Sequence, residues 1–281
     1  MTTVTPPELT VQATISTTFR AEVMLVTPKV AKAILDRQNT HNRNLSDRTV
    51  ADYMRDMLTD NWPLNGEAAK FAYDGTCLDG QHRFAAVSLS GVSVPMLIVT
   101  GLPLKVQETM DTGKRRSMAD VLTLRGESST HSLAAIVKRV WMWEGGNYKF
   151  HGAGKPTVAE CTELLQRKPE LRRSAEISAR VGRSFRYLPP APVGLAHHLF
   201  STISPEEAPE FFARLGDGAS LPIHHPILTL RTRAMKDVAG GFRIPEPRAM
   251  AYLIRTWNAV REGRSMSRII HDHEDAMPMP R

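Results

Sequence analysis

Residues 78–83, Leu-Asp-Gly-Gln-His-Arg, combine side chains that suit the binding of a phosphate group. Arg83 carries a planar guanidinium that can form two parallel hydrogen bonds with phosphate oxygens. His82 can donate a further hydrogen bond or transfer a proton, and Gly80 allows the backbone to approach a ligand closely. With Gln81 between them, these residues predict a phosphate-binding turn.

The residues around this run predict that it lies where a strand turns into a helix. An apolar alternation over 70–73, an Asp74-Gly75 turn and a second apolar run at Cys77-Leu78 predict a β-hairpin. Residues 84–89 have the apolar spacing of a helix, which is expected to end at Gly91. The turn would therefore open a helix.

A helix N-terminus attracts phosphate because it presents free backbone N–H groups and a partial positive charge. The alternative is an ordinary junction between a hairpin and a helix. In that case Asp79 is the N-cap of the helix, and His82 and Arg83 are exposed residues of its first turn.

The sequence before and after the hairpin predicts further strands and helices. The apolar run over 22–26 predicts a strand, and Thr27 followed by Pro28 predicts the start of a helix. Ser46 is expected to cap a second helix, and the continuous apolar run Val94–Val99 predicts a buried strand. Alternating strands and helices favour a mixed α/β domain.

Asp79-Gly80-Gln81-His82-Arg83 resembles the phosphate-binding signature of the ParB/sulfiredoxin superfamily, in the form found in DGQHR-type DNA-modification proteins. It is also similar to the Asp-Gly-His-His-Arg of ParB-fold free-serine kinases, whereas the Gly-Glu-Arg-Arg of partition-type ParB proteins is absent. The resemblance covers about residues 20–125. It implies a ParB/sulfiredoxin-like domain that binds a nucleoside triphosphate with Mg²⁺.

The second half of the chain looks like the tail of uncharacterised ParB-like proteins of actinobacterial phages and prophages, on the strength of residues 253–259 and Gly263-Arg264. Those proteins also carry a segment similar to Asp111–Arg116 after their last core strand. The resemblance predicts a second wall of the anion site that includes Thr112, Lys114 and Arg115; the alternative is a simple loop-to-helix boundary.

Two further positions are candidates for the same cleft. Arg43 precedes the Ser46 cap and could reach the phosphate, although a polar loop is the simpler interpretation. Glu67 and Asp79 flank the hairpin, and two converging carboxylates could accept a proton from an attacking hydroxyl or hold Mg²⁺. We therefore consider Asp79, His82 and Glu67 as catalytic candidates and Asp79 as a metal ligand; an exposed, inactive Glu67 is the alternative.

Composition excludes several classes of protein. The 281 residues are 42% hydrophobic and 23% charged, as in ordinary globular proteins. Cys77 and Cys161 lie far apart without partners at metal spacing, so neither a disulfide framework nor a cysteine-type zinc site is expected. With no membrane-length apolar run and no signal-peptide pattern, the expected location is the cytoplasm of a bacterial or phage-infected cell.

Positive charge is concentrated in the second half. Residues 1–126 hold 14 Lys and Arg against 13 Asp and Glu, whereas residues 127–281 hold 22 against 16. Between 167 and 186 the acidic residues are only Glu170 and Glu176. Such a cluster attracts nucleic acid, and the alternative is a solvated helical face. The basic residues of this cluster are Arg167, Lys168, Arg172, Arg173, Arg180, Arg183 and Arg186.

The start of this cluster also has the pattern of a helix-turn-helix. A first helix over about 157–165 would be followed by a recognition helix that begins near Pro169 and presents Arg172 and Arg173 to DNA. Short helices in a bundle produce the same pattern, and that interpretation is favoured.

These observations predict a protein of two domains. A flexible lead-in (1–19) precedes an α/β ParB/sulfiredoxin-like domain (20–126), a basic all-α domain (127–270) and a flexible tail (271–281). The favoured function is a nucleotide- or phosphate-binding protein that acts on or with DNA in phage or prophage DNA metabolism, with a homodimer as one arrangement. The alternatives are a phosphotransferase or nucleotide hydrolase on a small molecule or modified base, and a non-catalytic interaction protein.

Overall fold

The structure is a computed structural model that describes residues 19–39, 42, 44–110, 117–152, 154–272 and 274–281. Its contacts divide the chain into a unit of residues 1–114, here the sheet unit, and a unit of residues 115–281, here the helical unit. This division lies before the predicted boundary at 126/127 because a short helix over 118–124 packs against the helices that follow it.

The sheet unit alternates strands and helices, as the sequence predicts. Its helices begin where expected: Thr27 Oγ1 accepts a hydrogen bond from the amide of Val30, and Ser46 Oγ accepts one from Thr49. The elements are β1 (Arg20–Val26), α1 (Pro28–Gln38), α2 (Asp47–Leu58), β2 (Ala68–Ala72), β3 (Cys77–Asp79), α3 (Gln81–Ser90), β4 (Val94–Leu102) and a 3-10 helix (Leu104–Thr109).

The four strands form one mixed sheet in the order β1-β4-β2-β3. β1 is antiparallel to β4, β4 is parallel to β2, and β2 and β3 form the predicted antiparallel hairpin. The core of the unit contains Phe71, Ile98 and Phe84, which come from the sheet and from α3. Helices α1 and α2 both pack against α3.

The strand over 94–99 is buried on one face only, whereas its continuous apolar run predicts burial throughout. Val94, Met96 and Ile98 are buried, but Pro95 between them is exposed. β1 is an edge strand, and its Leu25 is 64% exposed. The pleat turns alternate side chains to opposite faces, so the apolar run of β4 exceeds what one covered face can bury.

The helical unit consists of helices and connections within its described residues, which agrees with the predicted all-α second half. None of the helices described in the chain combines the length and apolar character that crossing a membrane requires. The helices are α4 (Met118–Leu124), α5 (Thr130–Glu144), α6 (Val158–Arg167), α7 (Leu171–Ser184), α8 (Pro190–Ile203), α9 (Glu207–Asp217), α10 (Pro226–Ala239) and α11 (Glu246–Arg261).

An aromatic cluster at the centre of this unit joins three of its helices. The rings of Phe200 in α8 and Trp257 in α11 stack with centroids 4.5 Å apart, and Phe211 in α9 contacts both edge-on. All three side chains are buried. Aromatic pairs of this kind add to the free energy gained from burial.

The C-terminal segment is packed against α11, contrary to the expected flexible tail over 271–281. The indole Nε1 of Trp257 donates to the carbonyl of Arg281 at 3.0 Å. Asn258 donates to the carbonyl of Met279 at 2.9 Å and accepts from the amide of Arg281 at 3.0 Å. Asn258 thus pairs with the C-terminal segment, whose packing the composition could not reveal.

His197 in α8 is a buried histidine that the fold holds neutral. Its Nδ1 lies 3.0 Å from Ser174 Oγ of α7, and its ring packs against Phe212. Burial lowers the pKa of His197 from 6.5 to about 4, with Arg173 and His198 acting in the same direction. The unfolded chain therefore binds a proton more readily than the folded chain between these two pH values.

We expect acid to destabilise the helical unit partly through His197. Because the folded pKa is depressed, its contribution is complete above pH 6.5 and is lost as the pH falls towards 4. Between about pH 7.5 and about pH 5 the loss is about 2 kcal/mol. Urea unfolding at both pH values should show a smaller acid loss in His197→Gln than in the parent protein.

His151→Gln, which changes an exposed histidine of the same unit, is the matched control and should keep the full loss. His198, His225 and His271 also have lowered pKa values, so the comparison of variant with parent isolates the contribution of His197. Equal acid losses in the two variants would show that His197 is not the responsible group.

Candidate phosphate-binding site

The hairpin places Lys70 of β2 directly opposite Asp79 at the end of β3. A shift of register between Lys70 and Phe71 leaves Leu78 as an extra residue on β3, because Phe71 pairs with Cys77 while Lys70 pairs with Asp79. The Lys70 Nζ atom lies 2.8 Å from Asp79 Oδ2. The irregularity thus directs the carboxylate to a lysine on the neighbouring strand, as bulges beside functional sites commonly do.

Gly80 forms the turn between β3 and α3, and only a glycine fits there. Its φ of +111° lies in the left-handed region. A Cβ at this position would lie 2.9 Å from the Cβ of Ala69 and 3.3 Å from the ring of Phe84. The turn therefore packs against β2, and α3 begins immediately at Gln81.

Arg83 holds this turn to the start of β2. Its Nη1 donates to the carbonyl of Glu67 at 2.9 Å, and its Nη2 donates to the carbonyl of Ala68 at 2.8 Å and lies 3.4 Å from Asp79 Oδ2. The side chain is only 14% exposed. The interpretation of Arg83 as an exposed first-turn residue is therefore wrong, and part of the guanidinium already binds protein oxygens.

Asp79 is not the N-cap of α3, which is the role that the simpler interpretation gave it. The N-cap residue is Gly80, and no side chain caps the helix. The Asp79 carboxylate instead accepts from Lys70 and Arg83 and is 16% exposed. Two cations and one carboxylate thus meet at the start of α3.

His82 links the start of α3 to the start of α2. Its Nε2 accepts a hydrogen bond from the amide of Ser46 at 3.0 Å. A histidine nitrogen that accepts a hydrogen bond carries no proton, so this contact belongs to the neutral imidazole with its proton on Nδ1. His82, in the first turn of α3, thus positions Ser46, which is the N-cap residue of α2.

Amide side chains from distant parts of the sheet unit surround the same turn. The Nδ2 atom of Asn39 donates to Oε1 of the buried Gln81 at 3.2 Å. Asn42 donates to Asn39 Oδ1 and to the carbonyl of Cys77, each at 2.6 Å. Gln107 donates to Asn42 Oδ1 at 3.0 Å and to the carbonyl of Leu78 at 3.1 Å. These contacts hold Asn39, Asn42 and the 3-10 helix beside the turn.

Lys70, Asn39, Asn42 and Gln107 were not predicted as site residues. A signal for Lys70 is present, since a single lysine interrupts the apolar run Ala68–Ala72 and the hairpin can pair it with Asp79. Asn39, Asn42 and Gln107 have no comparable signal, because their contacts, other than the one between Asn39 and Asn42, span 29 to 65 residues of sequence.

The carboxylate of Glu67 is not seen to contact Asp79 in the described structure. Glu67 is exposed, and its carbonyl is the group that binds Arg83. Among the described residues no group of three or more His, Cys, Asp or Glu is arranged to hold a metal ion. A catalytic role for Glu67 and a metal-binding role for Asp79 stay predictions.

Cys77, which precedes the site, is not a candidate nucleophile. Burial raises the pKa of its thiol to about 12, and the Asp79 charge adds to this shift. Because the thiolate is the reactive form, Cys77 is inert at neutral pH. Burial likewise raises the pKa of Cys161 in the helical unit to about 12.

The remaining predicted cofactor-binding residues lie outside the described residues. They are Arg43, between the described Asn42 and Asn44, and Thr112, Lys114 and Arg115, within the segment 111–116.

The basic cluster of the helical unit is partly neutralised by acidic residues from elsewhere in the chain. Arg172 binds Glu127 through its Nε at 2.9 Å, and Lys168 lies 2.8 Å from Glu144. Arg173 pairs with Glu176, and Arg167 lies 3.6 Å from Glu163. Within the described residues, the exposed cations of the cluster without a carboxylate partner are Arg180, Arg183 and Arg186.

Helices α6 and α7 follow one another as the helix-turn-helix pattern requires, but the rest of the unit packs closely on α7. Its neighbours are α5, α8 and α9, and its buried side includes Leu171, Ala175 and Val181. The exposed side carries Arg172, Arg173, Glu176, Arg180 and Arg183. This arrangement is that of a bundle helix with one basic face.

Comparisons of the chain with protein-family models, curated proteins and solved structures find no match. The proposals below therefore rest on the residues and on the geometry just described.

We expect Arg83 to contribute substantially to the stability of the sheet unit. Arg83→Ala removes the donors to the Glu67 and Ala68 carbonyls and should cost about 1–3 kcal/mol of unfolding free energy. Arg83→Lys keeps the charge but lacks the planar guanidinium that donates to both carbonyls, and should recover only part of that loss. Urea unfolding followed by amide hydrogen exchange in β2 and α3 measures the effect, because Trp141, Trp143 and Trp257 of the helical unit also contribute to the fluorescence.

Arg48→Ala is the matched control, because Arg48 is an exposed arginine of α2 in the same unit. It should unfold within about 0.5 kcal/mol of the parent protein. An Arg83→Ala variant as stable as this control would show that the carbonyl contacts contribute little.

Proposed function

We propose that the sheet unit binds the phosphates of a nucleotide at the start of α3 and that the protein acts on or with DNA. The observation that carries this proposal is the junction itself: a strand, a left-handed glycine packed against Ala69 and an uncapped helix N-terminus, with Lys70 beside it. Backbone N–H groups and the helix dipole favour an anion there. The resemblance of residues 79–83 to the ParB/sulfiredoxin signature supports the same function.

Asp79 favours a phosphate that arrives with Mg²⁺ over a bare phosphate. A carboxylate beside the helix start repels an uncompensated anion, whereas Mg²⁺ in nucleotide sites is commonly held by one or two carboxylates and by the phosphates themselves. A single carboxylate, without a cluster of protein ligands among the described residues, fits that arrangement. The ligand proposed is therefore a nucleoside triphosphate with Mg²⁺.

Binding is proposed here in preference to turnover. Asp79 accepts from Lys70 and Arg83 through Oδ2, so its described contacts place the carboxylate between two cations rather than beside an attacking group. His82 uses Nε2 to accept from the Ser46 amide, so the same nitrogen is not available as a base while that contact lasts. These contacts favour a site that binds its ligand over one that uses an acid–base pair.

A thermal-shift panel of ATP, ADP, CTP and GTP, each with and without Mg²⁺, tests the nucleotide site. A ligand at about 100 times its Kd stabilises the native protein by about 2.7 kcal/mol, so the parent protein should melt at a higher temperature with at least one Mg²⁺-nucleotide. Lys70→Met should lose that shift, and Lys70→Arg should keep most of it.

Lys32→Met is the control, because Lys32 is an exposed lysine of α1 whose partner is Asp36. Its nucleotide-induced shift should equal that of the parent protein. The proposal fails if no nucleotide shifts the parent protein, or if Lys70→Met and Lys32→Met respond alike.

The exposed face of α7 supports the association with DNA. Arg180 and Arg183 lie on this face, are exposed and have no carboxylate partner in the part of the chain that the structure describes. Arg172 and Arg173 on the same face are each paired with a glutamate. Unpaired arginines can neutralise DNA phosphates without first breaking an ion pair.

We expect the full-length protein to bind duplex DNA with a strong dependence on salt. Each phosphate that a cation neutralises adds about −0.9 to the slope of log K against log salt concentration. The double variant Arg180→Ala/Arg183→Ala should flatten the slope by about two units, as measured by fluorescence anisotropy across a salt series.

The variant Arg172→Ala/Arg173→Ala removes the same formal charge from the same face and is the matched comparison. It should flatten the slope by less, because those arginines are already paired. Equal effects of the two double variants would mean that the whole face binds. An absence of duplex binding at low salt would exclude this role for α7.

A further inference from the structure

The helical unit contains an open cleft of about 650 Å³, and no residue of α7 lines it. Its walls are the start of α5, the connection between α7 and α8, and the connection between α10 and α11. Its volume falls in the range of small-ligand pockets, which is about 300–1,000 Å³.

Two arginines give this cleft a net positive charge. Arg186 and Arg243 both line it, both are exposed, and neither has a carboxylate partner among the described residues. The acidic residue in the lining is Glu246, and Arg139 binds it through two hydrogen bonds of 2.6 and 2.9 Å. The charge of Glu246 is thus balanced, whereas those of Arg186 and Arg243 are not.

An aromatic ring stands at the same cleft. Phe242 is 72% exposed, although it belongs to a connection next to a large core. Tyr187 lines the opposite connection and packs on Phe185 with ring centroids 5.2 Å apart. An exposed phenylalanine beside unpaired arginines offers a flat apolar surface for a planar ring and a charge for an attached anion.

The helices that begin at the cleft add to its positive character. His131 and Ser132 in the first turn of α5, Ala191 in that of α8 and Glu246 at the start of α11 all line it. None of these three helices has a side-chain N-cap hydrogen bond. Their dipoles add to the field of Arg186 and Arg243.

We propose that this cleft binds an unpaired nucleotide, with its base stacked on Phe242 and its phosphate held by Arg186 and Arg243. The nucleotide belongs to a single-stranded segment of nucleic acid or is free in solution; the chemistry of recognition is the same. In a duplex the faces of the bases are covered by their neighbours, so a stacking platform reaches them only in an unpaired strand. The cleft is a second site, in a different unit from the α3 junction, and does not depend on nucleotide binding there.

The test is an anisotropy titration of the full-length protein with a labelled oligothymidylate of about 15 nucleotides. Phe242→Ala should weaken binding at least about fivefold, and Phe242→Trp should preserve it because indole also stacks. Ile223→Ala, which trims an apolar residue of the same unit that is 82% exposed, should leave affinity unchanged. Arg186→Ala/Arg243→Ala should flatten the salt slope by about 0.7 units, the contribution of one phosphate of a single strand.

Lys149→Ala removes an exposed charge elsewhere on the helical unit and is the control for the arginine variants. Titration of Phe242→Trp with thymidine monophosphate distinguishes the two sources of the nucleotide. Fluorescence quenching by the monophosphate that exceeds that of the parent protein, with an affinity like that of the oligonucleotide, assigns the cleft to free nucleotides. Much tighter binding of the oligonucleotide assigns it to a strand.

Three results would overturn the proposal. The first is an oligonucleotide affinity that neither Phe242→Ala nor Arg186→Ala/Arg243→Ala changes. The second is a loss of oligonucleotide binding only in Arg180→Ala/Arg183→Ala. The third is a parent protein that binds neither the oligonucleotide nor the monophosphate. The second result would support the proposed DNA contact of α7 and would exclude the cleft as the binding site of the oligonucleotide. The nucleotide-induced thermal shift of Lys70→Met, measured in the Phe242→Ala background, reports on the α3 site separately.

Discussion

The guanidinium of Arg83 is the contact on which the geometry of the sheet unit's candidate site depends. It joins the carbonyls of Glu67 and Ala68 to the carboxylate of Asp79, and so ties the start of β2 and the end of β3 to the first turn of α3. Gly80 can approach Ala69 closely because this contact keeps α3 against the sheet. An arginine in this position mainly stabilises the fold. Lys70 is the more accessible of the two cations, because its side chain is 28% exposed whereas that of Arg83 is 14% exposed.

The two units gather positive charge in different ways. In the sheet unit a single lysine and a helix start lie beside a carboxylate, an arrangement suited to a compact ligand that brings its own cation. In the helical unit the arginines are spread over α7 and over the cleft that Arg186 and Arg243 line. The first arrangement suits a nucleotide, and the second suits an extended polyanion.

Local sequence signals predicted most of the elements. The starts of α1 and α2 were predicted from Thr27, which Pro28 follows, and from Ser46, because the side-chain oxygen of such a residue can accept a hydrogen bond from a free amide of the first turn. Both of these caps form in the structure. Asp74-Gly75 marked the hairpin since glycine reaches the positive φ that its turn requires, here +86°. Where only one face of a strand is covered, as in β4, a continuous apolar run predicted too much burial. The C-terminal segment packs through backbone groups, which carry no compositional signal.

The sequence by itself determined the strand-turn-helix junction at residues 77–83, the change from mixed to helical structure and the excess of arginine in the second half. All of these follow from residue types at short spacing. Tertiary structure decided which charges are free: Glu127, 45 residues from Arg172, neutralises it, while Arg180 and Arg183 stay unpaired among the described residues. It also decided that Lys70 meets Asp79 and that Asn39, Asn42 and Gln107 surround the turn. Such contacts depend on the register of a hairpin and on the packing of distant segments, which local residue preferences do not specify.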